Sequence, residues 1–264
     1  GFPSQWRVAL DDLSYSSPRG TLHTDRIQAT TLVYKTNHHI FWAEGEQTFR
    51  DHRDNHLRLI SDSFQGSLLR GEDQGNRLSL IMVSPQIQVD PALTAPFTLH
   101  AEQIEFYTRD LADRPDFSQN YVNITQLSTD SSWKIIKGEV GFNIAHTGLT
   151  DGLDIDQMFL QFINTVSGQQ TTPVTLRGQG KLALDTRRQV EGKLDLQIVN
   201  LNGFLQALQA NGLIKSKDIS KILLFSSLAS AASGDAQNTL SLPLQFKRGD
   251  MFLGPIKLGP APRF

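Results

Sequence analysis

The sequence predicts a mainly β protein: a β-rich α+β fold with either a broad curved antiparallel sheet or a two-halved β-sandwich, and a helical hairpin inserted near 201–233. Three observations support this prediction. Apolar and polar residues alternate with period two in many segments, clusters of Gly, Pro, Asn and Asp separate these segments, and two segments near the C-terminal end have helical spacing instead. We expect a single elongated β-rich domain over residues 1–264, with a sub-boundary within 108–132.

The alternation is clearest in two neighbouring segments, 174–184 and 190–199. In the second of them every other residue is apolar or glycine, and the residues between are polar or charged. A polar stretch, 185–189, separates the two segments and predicts a turn. The two segments are therefore predicted to form half-buried antiparallel strands. The same alternation recurs in six further segments: 6–10, 27–33, 57–69, 78–89, 97–106 and 240–246.

Two segments predict helices. In "LNGFLQALQANG" the apolar residues are spaced at i, i+3, i+4 and i+7, with Asn202 as a candidate N-cap and Gly212 placed to end the helix. A second helix is predicted after Ser216 and before Gly234. Because this helix is apolar nearly all round, we expect it to be buried against the sheet or inside its concavity.

Two other segments do not follow either pattern clearly. The apolar residues of 154–167 suit a helix, while the length and the neighbours of the segment suit a strand, so both interpretations stay open. Residues 108–132 are predicted to be irregular, which makes them the best position for a boundary between two halves of the sheet.

The composition excludes several classes of function. The chain has no cysteine, which excludes disulfides, thiolate metal sites and cysteine nucleophiles. Its 25 Lys and Arg residues against 27 Asp and Glu residues give a formal charge of −2, and the absence of a basic stripe argues against a nucleic-acid partner. No run of about 18 apolar residues predicts a membrane span. The start at Gly1 leads us to expect a processed or truncated form, with a targeting segment or membrane anchor upstream.

The histidines are the first candidates for chemistry. His52 and His56 lie four residues apart with Asp51 and Asp54 beside them, a set that could hold a metal on one helix face. The surrounding sequence predicts a loop entering a strand, so we favour a solvated loop. Three carboxylates at 151–156 do not have the spacing of a calcium loop and predict a polar turn. We therefore predict no catalytic residue, no metal site and no cofactor.

The tripeptide Arg248-Gly249-Asp250 matches a motif that certain adhesion proteins present to receptors. It also joins two apolar runs, and Gly with Asp is typical of a hairpin loop. We therefore predict a closing hairpin, with a strand over 240–246, a turn over 247–250 and a return strand from Met251 that covers apolar surface. Pro255 lacks a backbone donor, so the return strand should end there or lie at an edge.

Both ends of the chain carry a recognisable set of short motifs. The start has Gly1-Phe2-Pro3 and the pair Asn37-His38, and the end has the apolar strand, the Gly-containing turn and the Leu-Gly-Pro repeat of "LPLQFKRGDMFLGPIKLGPAPRF". With these motifs the chain resembles the bacterial domain-of-unknown-function 2125 family. The resemblance implies an exported protein of a Gram-negative envelope, held by an N-terminal hydrophobic segment and facing the periplasm. Its strand-rich organisation is similar to that of AsmA-like and lipopolysaccharide-bridge proteins, whose curved sheets shield acyl chains. The family offers no catalytic residue to carry over.

The leading functional prediction is a non-enzymatic periplasmic protein that binds a lipid or another hydrophobic ligand along its curved sheet. The same apolar residues could equally form a dry core, and apolar alternation alone does not separate a core from a groove. The residues predicted to line the groove are Leu194, Leu196, Phe204, Leu208, Phe225, Leu240, Leu242 and Phe246.

Two other functions remain open. One is a structural or assembly module that binds an envelope protein partner through a sheet edge or the apolar C-terminal segment. The other is a hydrolase that uses scattered residues such as His38, Asp51 and His52. The expected partners are thus a hydrophobic ligand, an envelope protein, and the membrane through an upstream anchor.

Overall fold

The computed structural model describes residues 5–18, 20–33, 35–71, 75–91, 95–129, 133–146, 152–166, 169–170, 172–210, 214, 219–220, 222–223 and 239–263. The chain divides into two compact units, which we describe separately. The N-terminal unit comprises Gly1–Pro115 and Gln119–Lys134, and the C-terminal unit comprises Asp116–Ser118 and Ile135–Phe264.

The N-terminal unit is an antiparallel sheet. Three long strands come first, and shorter strands follow them in pairs. Because β-branched and aromatic residues alternate with polar ones along most of them, each strand can bury one face while the other stays in water. The strands are β1 (Gln5–Ser17), β2 (Gly20–Leu32), β3 (Lys35–Asp51), β4 (His56–Ile60), β5 (Ser63–Leu69), β6 (Arg77–Val83), β7 (Gln86–Asp90), β8 (Phe97–His100), β9 (Gln103–Asp110) and most of β10 (Phe117–Thr129).

The short strands are the halves of longer ones. β1 pairs with β2 and β2 with β3, and β3 then pairs with β4 through its C-terminal half and with β5 through its N-terminal half. From there one branch continues through β7 and β8, and the other through β6 and β9. β10 joins both branches, because it pairs with β8 and with β9.

A line of backbone irregularities crosses all of these strands at the same level, and we call this line the crease. Backbone with positive φ marks it at Asp12, Gly45, Ser84 and Gln126, with values of 55°, 75°, 49° and 56°. Backbone hydrogen bonds continue through the crease, for example from the Ser84 N–H to the Glu102 carbonyl at 2.8 Å. The apolar alternation changes phase there: in β1 it occupies even positions up to Leu10 and odd positions afterwards. Each side of the crease therefore has an apolar face of its own.

The C-terminal unit is a second antiparallel ladder. β12 pairs with β14, and β14, β15, β16, β17 and β18 follow one another in the ladder. The elements are most of β11 (Trp133–Ala145), β12 (Leu153–Val166), β13 (Gln169–Gln170), β14 (Val174–Leu184), β15 (Val190–Val199), α1 (Leu201–Ala210), β16 (Thr239–Lys247), β17 (Asp250–Leu253) and β18 (Ile256–Pro260).

Local chemistry explains the turns of this unit. The Asp185 carboxylate accepts the backbone N–H groups of Arg187 and Gln189, both at 2.8 Å, and so closes the predicted turn between β14 and β15. Between β16 and β17, Arg248 and Gly249 have φ values of 55° and 78°, as a two-residue hairpin turn of type I′ requires. The closing hairpin is confirmed, and its return strand ends at Leu253, before Pro255.

The first predicted helix is α1, but its N-cap differs from the prediction. The Asn200 side-chain oxygen accepts the Gly203 N–H at 3.1 Å, so Asn200 caps the helix rather than Asn202. The Asn200 amide nitrogen also donates to the carbonyls of Thr172 and Pro173. Most of the second predicted helix lies outside the described residues, so the helical hairpin as a whole is not supported. The mainly β fold class is confirmed.

Two segments that lacked a clear pattern are strands. Residues 154–167, left open between helix and strand, lie almost entirely in β12. The expectation of an irregular 108–132 is wrong, since β10 extends over Phe117–Thr129. Amide side chains had masked the alternation of β10. They satisfy charged or polar groups on β9: Arg109 donates to Gln119 at 2.8 Å, and Asn123 donates to Glu105 at 3.1 Å.

The buried core lies in the C-terminal unit. Among the described residues, the side chains that are almost completely buried include Val174, Ile198, Leu205, Ile222 and Leu253, each at most 1% exposed. In the described part of the N-terminal unit, Leu59 and Pro85 are the large apolar residues with buried side chains. The two units therefore cover their apolar residues to very different extents.

Candidate hydrophobic binding surface

Seven of the eight residues predicted to line a groove lie in the C-terminal unit and are buried. Leu194 and Leu196 on β15 share a sheet face with Leu240 and Leu242 on β16, because Leu196 pairs with Leu242 and Ile198 with Leu240. Each of these four is at most 6% exposed. Phe225 lies outside the described residues.

The other three members occupy two different places. Phe204 and Leu208 belong to α1, and the Phe204 ring lies 6.4 Å from the ring of Phe162 on β12. Phe246 packs with Val190 and Ala261 in a small separate cluster. The seven described members of this set are therefore part of buried packing in the C-terminal unit, with exposures of 8% or less.

A larger apolar surface lies in the N-terminal unit, where the sequence analysis had placed no site. The strand registers align side chains into continuous rows that cross six strands on one face. One row contains Val8, Ala29, Phe41, Gly66, Leu80 and Phe106, and the next contains Leu10, Ile27, Ala43, Phe64, Met82 and Ile104. We call these two rows the first apolar face.

The row beside the first apolar face is less uniform. It begins at Trp6 on β1 and also carries Leu68 and Leu78. Its polar members include Thr31 and His39, whose side chains lie 2.6 Å apart in a hydrogen bond. None of the three rows contains Asp, Glu, Lys or Arg. The opposite face of the same strands carries charged and amide residues, among them Arg7, Gln28, Glu44 and Gln65.

The first apolar face is not buried. Val8 and Leu10 are 57% and 47% exposed, Gly66 is buried, and the other residues of the two rows are partly exposed. The described elements of the N-terminal unit are all strands, so no helix among them packs on this face. Exposed apolar patches larger than a few hundred Å² are rare in soluble monomers and mark binding surfaces.

At the centre of this face, Phe41 packs closely against Gly66 on the neighbouring strand. A Cβ atom at Gly66 would overlap the Phe41 ring, so the ring lies flat across the neighbouring strand. The Phe41 ring thus fills the position above Gly66, and the surface from Phe41 to Leu80 is a wholly apolar floor. A floor of this kind can accept apolar groups without leaving a buried polar atom unpaired.

Beyond the crease, a further row is also apolar. It contains Tyr15, Leu22, Phe49, Leu57, Val89 and Phe97. Tyr15 is 62% exposed, and Leu22, Leu57 and Phe97 are between 37% and 42% exposed. The apolar surface of the N-terminal unit is therefore not confined to one side of the crease.

A signal in the sequence could have located this surface. The alternating segments between 6 and 106 contain no helical pattern that could cover them, whereas the C-terminal segments do. A sheet with an apolar face and no covering element leaves that face for something else to cover.

The histidine candidates are not brought together. His38 lies near the start of β3 and bonds Ser67 at 2.7 Å, while Asp51 ends the same strand. At about 3.3 Å per residue, the two are roughly 40 Å apart along the strand. Asp51 instead accepts N–H groups of its own turn, and a hydrogen bond from the Asn55 side chain lowers the pKa of its carboxyl. No group of three or more His, Asp and Glu residues in the described ranges is arranged to hold a metal.

The carboxylates considered for calcium have other partners. Asp154 faces the Lys181 ammonium at 3.3 Å, and Asp156 accepts a hydrogen bond from Asn143 at 2.8 Å. Asp151 lies outside the described residues. Within the part of the chain that is described, no helix is long and apolar enough to cross a membrane.

The comparisons with known proteins give one match. The model of the family DUF2125, described as an uncharacterized protein conserved in bacteria, matches residues 1–262. No curated protein and no solved structure matches the chain.

Proposed function

The chain belongs to the DUF2125 family, and we propose that it is a non-enzymatic protein of the bacterial cell envelope that holds a lipid or another hydrophobic ligand on its N-terminal sheet. The observation that supports the proposal is the first apolar face: two rows of residues across six strands, without a charged residue and without a helix among the described elements of the unit.

The energetic argument follows from apolar area. Each Å² of apolar surface left in water costs about 25 cal/mol. An acyl chain laid along the rows removes this surface from water and contributes apolar surface of its own, while no polar group in the rows needs a replacement hydrogen bond. The contact therefore removes apolar surface of both the sheet and the acyl chain from water, and this favours binding.

The C-terminal unit supplies stability in this account. Among its described residues, the buried side chains include those on one face of α1 and the cluster around Phe246. The ligand is therefore assigned to the N-terminal unit rather than to the residues around Leu194 and Leu240. This division lets one unit remain folded while the other exposes the surface that binding needs.

The proposed location is the periplasm, with an N-terminal segment upstream of Gly1 as the anchor to the inner membrane. The support is the family resemblance of both ends of the chain, which implies an exported protein. Protease added to intact spheroplasts would digest the native protein if this is correct, and protection from the protease would contradict it.

A matched pair of variants tests the ligand proposal. Leu80→Glu places a carboxylate in the centre of the first apolar face, and Ser79→Glu places the same group on the opposite face of the same strand. We expect lipid to co-purify with the wild type and Ser79→Glu after native extraction, and to fall at least tenfold with Leu80→Glu, as measured by mass spectrometry. Equal recovery from both variants, or no lipid from the wild type, would contradict the proposal.

A second function is favoured by one observation. β1 is exposed at the edge of the N-terminal sheet, which suits a structural or assembly module that binds an envelope protein by strand addition. The C-terminal segment is less suited to this role, because β17 and β18 are paired into their own ladder and Leu253 is 1% exposed.

A further inference from the structure

We propose that two copies of this chain pair antiparallel through β1, with the twofold axis at Ala9. The inference does not depend on the ligand proposal, since it rests on the backbone and charges of one edge strand. The partner is a second copy of the same chain, and the interaction surface is the outer edge of β1.

β1 has the properties of an unpartnered edge. It pairs with β2 over Gln5–Ser17. All residues from Gln5 to Asp12 are exposed, including Trp6 at 74%. In an antiparallel ladder, alternate residues direct their N–H and C=O groups away from the partner strand, so this edge carries a row of unpaired backbone groups.

The charges of β1 suit pairing with itself. With the axis at Ala9, Arg7 of each copy faces Asp11 of the partner subunit, which gives two ion pairs. Arg7 and Asp11 lie on the same face of the strand, so both pairs form on one side of the joined sheet. Within its own chain the Asp11 carboxylate lies 3.4 Å from the Arg26 guanidinium. In the dimer the same carboxylate can also face the guanidinium of the partner subunit's Arg7.

The apolar residues match in the same register. Val8 faces Leu10 of the partner subunit on the other side of the joined sheet, and Trp6 faces Asp12 of the partner subunit. An axis at Arg7 or at Asp11 would set like charges against each other, and an axis at Val8 or Leu10 would place Arg7 opposite an uncharged residue. Charge and hydrophobicity therefore select one register.

Pairing would also extend the first apolar face. Val8 and Leu10 begin its two rows, so each row of one copy would continue into the facing row of the other. The edge strand would be removed from solvent at the same time, which protects a sheet from uncontrolled edge-to-edge association.

Cysteine cross-linking tests the register. The chain has no cysteine, so Ala9→Cys introduces a single thiol at the axis. Facing residues of antiparallel strands have Cα atoms about 4.5–5.5 Å apart, within the range for a disulfide. We expect mild oxidation to give at least ten times more covalent dimer than with Tyr15→Cys, a control on the same strand whose two copies would lie about 40 Å apart. Equal cross-linking of the two variants would overturn the register.

A charge exchange tests the ion pairs in the full chain. In sedimentation experiments we expect a wild-type dimer, a dissociation constant at least tenfold weaker for Arg7→Asp, and recovery in the double variant Arg7→Asp with Asp11→Arg. Arg53→Asp, the same change in an exposed turn, should leave the dimer intact. A wild type that stays monomeric over the whole concentration range, or a dimer that Arg7→Asp does not weaken, would overturn the proposal.

Discussion

At the scale of single residues, the contact between Phe41 and Gly66 explains how the first apolar face stays flat. The aromatic ring occupies the space that a side chain at Gly66 would need. A glycine within a strand weakens it in general, and close approach of a neighbouring group is a recognised reason to keep one there. The row of apolar groups continues past Gly66 because this residue has no side chain and the Phe41 ring takes the space.

Gly66→Ala should therefore destabilise the N-terminal unit. The added methyl group would push the Phe41 ring out of its position, and overpacking of this kind costs about 1–3 kcal/mol. We expect a lower midpoint in chemical denaturation, followed by circular dichroism. Gln65→Ala, at the neighbouring exposed position on the opposite face, should leave the midpoint nearly unchanged; if both variants behave alike, the ring does not depend on the glycine.

At the scale of elements, α1 and β10 show what the sequence could and could not predict. The helical spacing of Leu201, Phe204, Leu205 and Leu208 was sufficient to predict α1, because all four side chains are buried on one face. The cap was misassigned because Asn200 and Asn202 are both good N-cap residues, and the start of the helix decides between them. β10 was missed because its amide side chains hid the period-two pattern.

The cap assignment is testable with two asparagine variants. Asn200→Ala should destabilise the protein by about 1 kcal/mol, the usual cost of losing an N-cap, and more if the bonds to Thr172 and Pro173 contribute. Asn202→Ala should have a smaller effect in the same thermal denaturation measurement. The reverse order would show that the helix begins later than Leu201.

At the scale of the molecule, strand alternation alone does not separate the candidate site from the core, because the same alternation occurs in both units. Leu194 and Leu80 both lie in alternating strands, yet Leu194 is 6% exposed while Leu80 is partly exposed. The signal that distinguishes the two units is the helical pattern in the C-terminal segments, and strand periodicity does not contain that information. The mainly β fold, the closing hairpin and the family were predictable, because turn chemistry and local pattern determine them.

The most direct test of the account is contact quenching by a brominated fatty acid. Trp6 lies beside the first apolar face, and Trp42 lies on the opposite face of the sheet. In variants that retain one of these two as the single tryptophan, with the others changed to Phe, we predict that a dibromostearate quenches Trp6 fluorescence strongly and Trp42 fluorescence weakly, while acrylamide reports the accessibility of each ring to water. Equal quenching of both rings by the brominated chain, or no quenching of Trp6, would contradict the claim that the first apolar face binds a hydrophobic ligand.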